Sequence, residues 1–142
     1  MAQRLKASGG EPMSDIRFVS DVPGYPPSHS PYSHAVVANG FVFVSGQAAV
    51  RPGGGALEPV GDTIQEQTRQ CLRNIDTVLK AAGSSFDKLV KVTVLLTNPA
   101  DFAGMNQAYA EFFPANRPAR AVAKLGVEIP GVLISIEAVA LA

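Results

Sequence analysis

Two runs in this chain, Phe41–Val44 (FVFV) and Leu133–Leu141 (LISIEAVAL), are apolar at nearly every position. A strand with one wet face alternates apolar and polar residues, so runs like these belong to strands covered on both sides. That demand falls on a chain of 142 residues, a length that suits one core. The remaining elements supply cover for only one side. Ala35–Ala38 and Phe41–Ser45 flank Asn39-Gly40, a two-residue hairpin signal. Asp62-Thr63 opens a helix in which Thr63 and Glu66 fit a capping box. Leu72, Ile75, Val78 and Leu79 follow at helical spacing, and Gly83 is the stop. Leu89–Thr97 is rich in β-branched residues and reads as a strand. Asn98-Pro99 starts a second helix over 101–113, ended by Pro114 and Pro118. Ala119–Leu125 and Leu133–Leu141 are the last strands, joined by a loop containing Pro130-Gly131. The expected architecture is α+β: a single mixed β-sheet with two helices packed on one face. Its other face needs a further partner, and a symmetric copy of the chain is the simplest one.

Residues 1–15 lack periodicity and read as a flexible tail, with ordered structure beginning near Tyr32 after the Pro-rich stretch 20–31. A single domain is expected over 16–142. Twelve basic residues balance twelve acidic ones, which argues against a nucleic-acid partner. No apolar run is long enough to span a bilayer and no secretory leader is visible, so no membrane association and a cytoplasmic location are expected. Cys71 is the only cysteine, which excludes an internal disulfide; its place on the first helix reads as core. His29 and His34 lack further ligands at metal-binding spacing, so no metal is expected. Gly53–Gly55 has no Gly-Lys-Ser/Thr after it and reads as a loop rather than a phosphate cradle. Phe102, Tyr109, Phe112 and Phe113 fall at helical spacing and read mostly as core.

Arg120 and Glu137 stand out chemically. Each interrupts a strand that is otherwise mostly apolar, where a charge is costly unless it is paired or hydrogen-bonded. Two readings stand side by side. The pair could form a structural ion bridge. Alternatively, Arg120 grips a substrate carboxylate with its planar fork while Glu137 handles a water.

Five ordered segments then carry a resemblance. They are Ser30-Pro31-Tyr32-Ser33-His34-Ala35, Phe43-Val44-Ser45-Gly46-Gln47, Gln67–Gln70 through Asn74, Met105–Tyr109, and Pro118–Val122 with Ile136–Ala140. Together they resemble the RidA (YjgF) family of reactive-imine deaminases over about residues 30–142. The resemblance implies a chorismate-mutase-like fold, a homotrimer with sites in clefts between subunits, and no cofactor. It implies hydrolysis of 2-imino or 2-enamino acids to 2-keto acids and ammonia, as by a 2-iminobutanoate/2-iminopropanoate deaminase. Arg120 matches the family's carboxylate-binding arginine and Glu137 the acid that positions water. Tyr32, Ser45, Gly46 and Asn106 match substrate-binding positions. Ser30 replaces the family's usual Gly. Val122 stands where many members carry Cys, so a side-chain donor is lost and any contact there comes from backbone N–H. Other activities compatible with the resemblance are an aminomuconate-type deaminase, an endoribonuclease-named relative, and a non-catalytic trimeric ligand sensor or chaperone-like protein.

Overall fold

The computed structural model describes residues 2–5, 15–53 and 58–142. Seven strands form one sheet: β1 (Ala2–Leu5), β2 (Ile16–Val19), β3 (Ala35–Ala38), β4 (Phe41–Ala48), β5 (Leu89–Leu96), β6 (Ala119–Lys124) and β7 (Ile134–Leu141). The strand order is β1-β2-β3-β4-β7-β5-β6. Every neighbouring pair is antiparallel except β5–β6, which is parallel. A parallel pair needs a crossover, and α2 (Phe102–Phe112) supplies it between β5 and β6. The longer α1 (Ile64–Ala81) connects β4 to β5 and lies on β4 and β7, with α2 beside it.

Local sequence explains most of these boundaries. Asn39 and Gly40 both have positive φ (51° and 82°), as a type I′ hairpin turn requires. Thr63 accepts from the Glu66 backbone N–H while Glu66 accepts from the Thr63 backbone, completing the capping box. At the other end Gly83 has φ 85°, Ser84 N–H donates to the Leu79 carbonyl and Gly83 N–H to that of Lys80. This is a Schellman stop. Arg17 on β2 donates to the Ala82 carbonyl, placing a cation at the negative end of α1.

The core lies between the helices and one face of the sheet. Leu72, Ile75, Val78 and Leu79 of α1 meet Val42, Val44, Val92, Val94, Ile134 and Ile136, all nearly or fully buried. Each such side chain contributes roughly 1.5–3 kcal/mol relative to an exposed one. The opposite face carries Phe41, Phe43 and Leu141, exposed by 37%, 47% and 47%. Among the described residues nothing covers it.

Three expectations change. Part of the expected tail is strand β1, paired with β2; residues 6–14 lie outside the described residues. Ordered structure begins well before Tyr32, because Ile16–Val19 pairs with β3; four residues between polar and Pro-rich flanks are too few to show a period. Phe102 is not core: it is 46% exposed, whereas Tyr109 and Phe113 are buried. Gly54 and Gly55 fall outside the described residues. No helix among the described residues is long and apolar enough to cross a membrane.

Two buried polar side chains on α1 hold the loops around the sheet. Gln67 Nε2 donates to the carbonyls of Gly61 (3.1 Å) and Gly131 (2.8 Å), and its Oε1 accepts from Leu133 N–H (2.9 Å). Asn74 Nδ2 donates to the carbonyls of Ala48 (2.9 Å) and Val50 (3.0 Å). Replacing Gln67 with Leu strands these backbone groups, and an unsatisfied buried group costs about 1–3 kcal/mol. Gln67→Leu should therefore lower unfolding free energy by about 2–4 kcal/mol in urea titration, with an unchanged m-value. A loss below about 0.5 kcal/mol would refute this account of the loops.

Candidate active site

The pairing of β4 with β7 is broken at one place. Val44 pairs with Ala138 and Gln47 with Ile136, so Ser45 and Gly46 together oppose the single residue Glu137. This is a β-bulge, a device that bends a strand and re-aims its side chains. Ser45 is tied into the preceding loop: its N–H donates to the His34 carbonyl (3.0 Å) and its Oγ to that of Ser33 (2.6 Å). A Cβ at Gly46 would lie 2.9 Å from Ser135 Oγ, so any larger residue there would make the Ser135 hydroxyl move. Glu137 projects from the open face in a shallow depression with Phe43, Lys91 and Thr93.

Beside this bulge lies a cavity of about 300 Å³. Tyr32, His34, Gly46 and Gln47 line one side; Leu125, Val127, Ile129 and Val132 from the β6–β7 loop line the other, with Ser135 at the sheet. Tyr25 donates its hydroxyl to Gln47 Oε1, and Gln47 Nε2 donates to the Ser45 carbonyl (2.9 Å). The His34 ring is buried edge-on between Tyr25 and Tyr32, with centroids 5.3 and 5.9 Å away. Its Nε2 lies 3.1 Å from the Pro26 carbonyl. A carbonyl only accepts, so Nε2 carries the proton and Nδ1 is left as a buried lone pair with no partner among the described residues. Burial pushes the His34 pKa below the ordinary histidine value, opposed by the Pro26 hydrogen bond and by Asp21.

Arg120 lies elsewhere. Val92 is in register with both Arg120 and Ala138, while Thr93 is in register with Glu137. Residues in register share a face and neighbours along a strand alternate, so Arg120 sits on the helix-covered face and Glu137 on the open one. The Arg120 Nη1 donates to Asn106 Oδ1 (2.8 Å) and approaches Met105 Sδ (3.9 Å). The guanidinium carbon lies 4.8 Å from the Tyr109 ring centroid and 6.0 Å from that of Phe102. Asn106, Tyr109, Arg117, Pro118 and Arg120 border a cleft there. Burial raises the Tyr109 pKa, with the Arg120 charge opposing. Val122, also on the Arg120 face, packs against the core rather than lining this cleft.

The structural ion pair is thus not formed within the chain, since the sheet itself separates Arg120 from Glu137. One chain brings Tyr32, Ser45, Gly46 and Glu137 to one region, and Arg120 with Asn106 to another. Tyr109, Gln47, His34 and Ser135 were not picked out as site residues. Tyr109 was legible in principle, because it stands three residues after Asn106 on one helix face. Among the described residues no three His, Cys, Asp or Glu side chains converge as metal ligands. Cys71 is buried, and burial raises its pKa.

The family model described as Endoribonuclease L-PSP matches residues 24–142. A human protein named 2-iminobutanoate/2-iminopropanoate deaminase is 39% identical, over 89% of this chain and 90% of its own. Protein mmf2, mitochondrial, of Schizosaccharomyces pombe is 47% identical over 78% of this chain and 86% of its own. A crystal structure of E. coli TdcF with bound serine superposes with a TM-score of 0.77 at 33% identity, covering 87% of this chain and 98% of that one.

The His34 environment predicts a pH dependence of stability. Its folded pKa lies below its unfolded value of 6.5, so the unfolded chain takes up the proton first as pH falls. The favourable contribution is present above about pH 6.5 and is lost as pH drops through the folded pKa. The melting temperature should decline below that pH, and His34→Gln should flatten the decline relative to wild type. Parallel curves would show that His34 is not the group responsible.

Proposed function

Because the chain belongs to the Endoribonuclease L-PSP (YjgF/RidA) family, we propose that it hydrolyses 2-imino acids to 2-keto acids and ammonia, at a site completed by two copies of the chain. The observation that carries this reading is the state of Arg120. Asn106 and Tyr109 hold the guanidinium, and no carboxylate of the described chain pairs with it. A fixed, partly buried guanidinium without an anion is a carboxylate receptor. Bound serine in E. coli TdcF, itself an α-carboxylate compound, supports the same chemistry. Zero net charge favours a small anion over a polyanion.

The second copy follows from the same geometry. Glu137 sits on the opposite face of the sheet, so Arg120 of one protomer reaches Glu137 only across an interface. The uncovered face with Phe41, Phe43 and Leu141 is apolar enough to make one, and a closed homotrimer is the proposed assembly. In that cleft Arg120 fixes the substrate carboxylate and so orients C2, removing part of the entropic barrier. Glu137 takes a proton from water as its oxygen adds to C2. The carbinolamine is held by hydrogen bonds from the Tyr32 hydroxyl or the Gly46 N–H, while Ser45 Oγ, whose proton goes to the Ser33 carbonyl, can only accept from it. Glu137 returns the proton to nitrogen; as the C–N bond breaks, the now ionised Glu137 takes the carbinolamine O–H proton, the C2=O bond forms and ammonia leaves, and that last proton passes to the ammonia. Water and imine supply every atom of the products.

The test generates 2-iminopropanoate and 2-iminobutanoate in situ and traps the free imine with semicarbazide. Wild type should suppress trapping. Arg120→Ala should abolish suppression, and Glu137→Gln should lower kcat by about 10²-fold or more while 2-keto acid binding survives. Wild type indistinguishable from buffer would end the proposal. A second experiment isolates the shared site: the two inactive variants, unfolded together and refolded as a mixture, should regain about one quarter of wild-type activity by random assortment. No recovery would place Arg120 and Glu137 in sites that do not cross the interface.

A further inference from the structure

We propose that the cavity beside Glu137 is a side-chain pocket that selects 2-imino acids with bulky apolar side chains, branched aliphatic or aromatic, over 2-iminopropanoate. The inference rests on the imine-hydrolase reading and goes beyond it by assigning the substrate's far end. Position comes first. Gly46 opposes Glu137 in the bulge, and Ser135 lies two residues before Glu137 on the same face of β7. Both line the cavity. Glu137 itself lines the adjoining depression with Phe43, Lys91 and Thr93, and Gly46 and Ser135 border the cavity next to it, so a substrate whose C2 stands at the Glu137 carboxylate has this opening within reach of its side chain.

Size comes second. Liquid water occupies about 30 Å³ per molecule, so a cavity of about 300 Å³ takes roughly ten groups of that size. The single methyl of 2-iminopropanoate leaves most of it unfilled, whereas an isobutyl or benzyl group occupies a large part. Chemistry comes third. Tyr32, Val50, Leu125, Val127, Ile129 and Val132 make the wall predominantly apolar. The Gln47 carboxamide, the one amide side chain in it, is already engaged by Tyr25 and by the Ser45 carbonyl. Besides the tyrosines, polar groups at the wall are few (Gln47, His34, His29, Ser30 and Ser135), and much of the Gln47 amide's capacity is already taken, so a charged side chain would exchange water for a mostly apolar lining with little compensation. Val127, 63% exposed, stands among the lining residues and adds apolar surface at the cavity. The β6–β7 loop is thereby the specificity element, and the bulge is the chemical one.

The experiment uses the assembled protein with imines made in situ by an amino-acid oxidase from alanine, leucine and phenylalanine. The quantity read is the ratio of kcat/KM for the leucine- or phenylalanine-derived imine to that for 2-iminopropanoate. Each added apolar group in a fitting pocket is worth on the order of tenfold, so the wild-type ratio should be about ten or more. Val127→Ser and Ile129→Ala, made separately so that one misfolded variant does not remove the test, should each lower that ratio by about tenfold. Product binding gives a second readout: 4-methyl-2-oxopentanoate should bind wild type more tightly than pyruvate, and the variants should lose the difference. A wild-type ratio of one or less overturns the proposal and leaves the hydrolase reading standing. So does a ratio unmoved in both variants, which would assign the loop to subunit contact. Hydrolysis of none of the three imines would instead sink the underlying reading, and this inference with it.

Discussion

The carboxamide of Gln67 decides where much of this molecule can go. It is 1% exposed and satisfies backbone groups from three places: the segment entering α1, the β6–β7 loop, and the start of β7. Loop backbone carries donors and acceptors that cannot be buried alone, so a loop lies against a core only where something answers them. Gln67 does this on one side and Asn74, two turns further along α1, does it for the backbone after β4. The capping box at Thr63 and Glu66 sets where the helix begins and so fixes the register of both amides. The walls around Tyr32 and Val132 are thus positioned from behind, by a helix that contributes no residue to the cavity.

Strand alternation imposes the second constraint. A sheet one residue thick separates its two faces completely, and Arg120 and Glu137 emerge on opposite ones. Each charge is tolerable where it stands. Arg120 rests on an aromatic face with an amide acceptor, and Glu137 is exposed. The chain avoids the cost of a buried ion pair by not forming one, which leaves both groups free for a ligand. In the assembly proposed above, oligomerisation and chemistry become the same requirement, since covering the apolar face is also what would bring complementary halves together.

Much of the framework was legible in the residues. Asn39-Gly40, the Thr63/Glu66 box, Gly83 and the apolar run at 133–141 each encode a local or near-local preference, and each produced the expected element. The short N-terminal strands were not legible, because β2 gains its identity from pairing with β3 rather than from its own four residues. The bulge at Ser45-Gly46 was equally hidden: it is a relation between two distant strands. For the same reason period-two alternation shows that Arg120 and Glu137 each interrupt an apolar strand but not that they face opposite sides of the sheet. That fact needs the register through β5. Tyr109 was read as core, which it is, and its second task under Arg120 emerges only when β6 docks beside α2.

The position of β7 has a consequence for how the chain acquires its shape. It follows every other strand in sequence yet lies in the interior of the sheet, between β4 and β5. Until it inserts, both of those strands present open edges lined with unpaired N–H and C=O groups, the situation that invites pairing with another molecule. On the β4 side the contacts that close the gap join residues as far apart along the chain as Phe41 and Leu141, so loop-closure entropy must be met before they form. A nascent chain therefore exists for a time as two half-sheets waiting for a central plank. During synthesis that interval, rather than the finished fold, is where the protein is most exposed to aggregation.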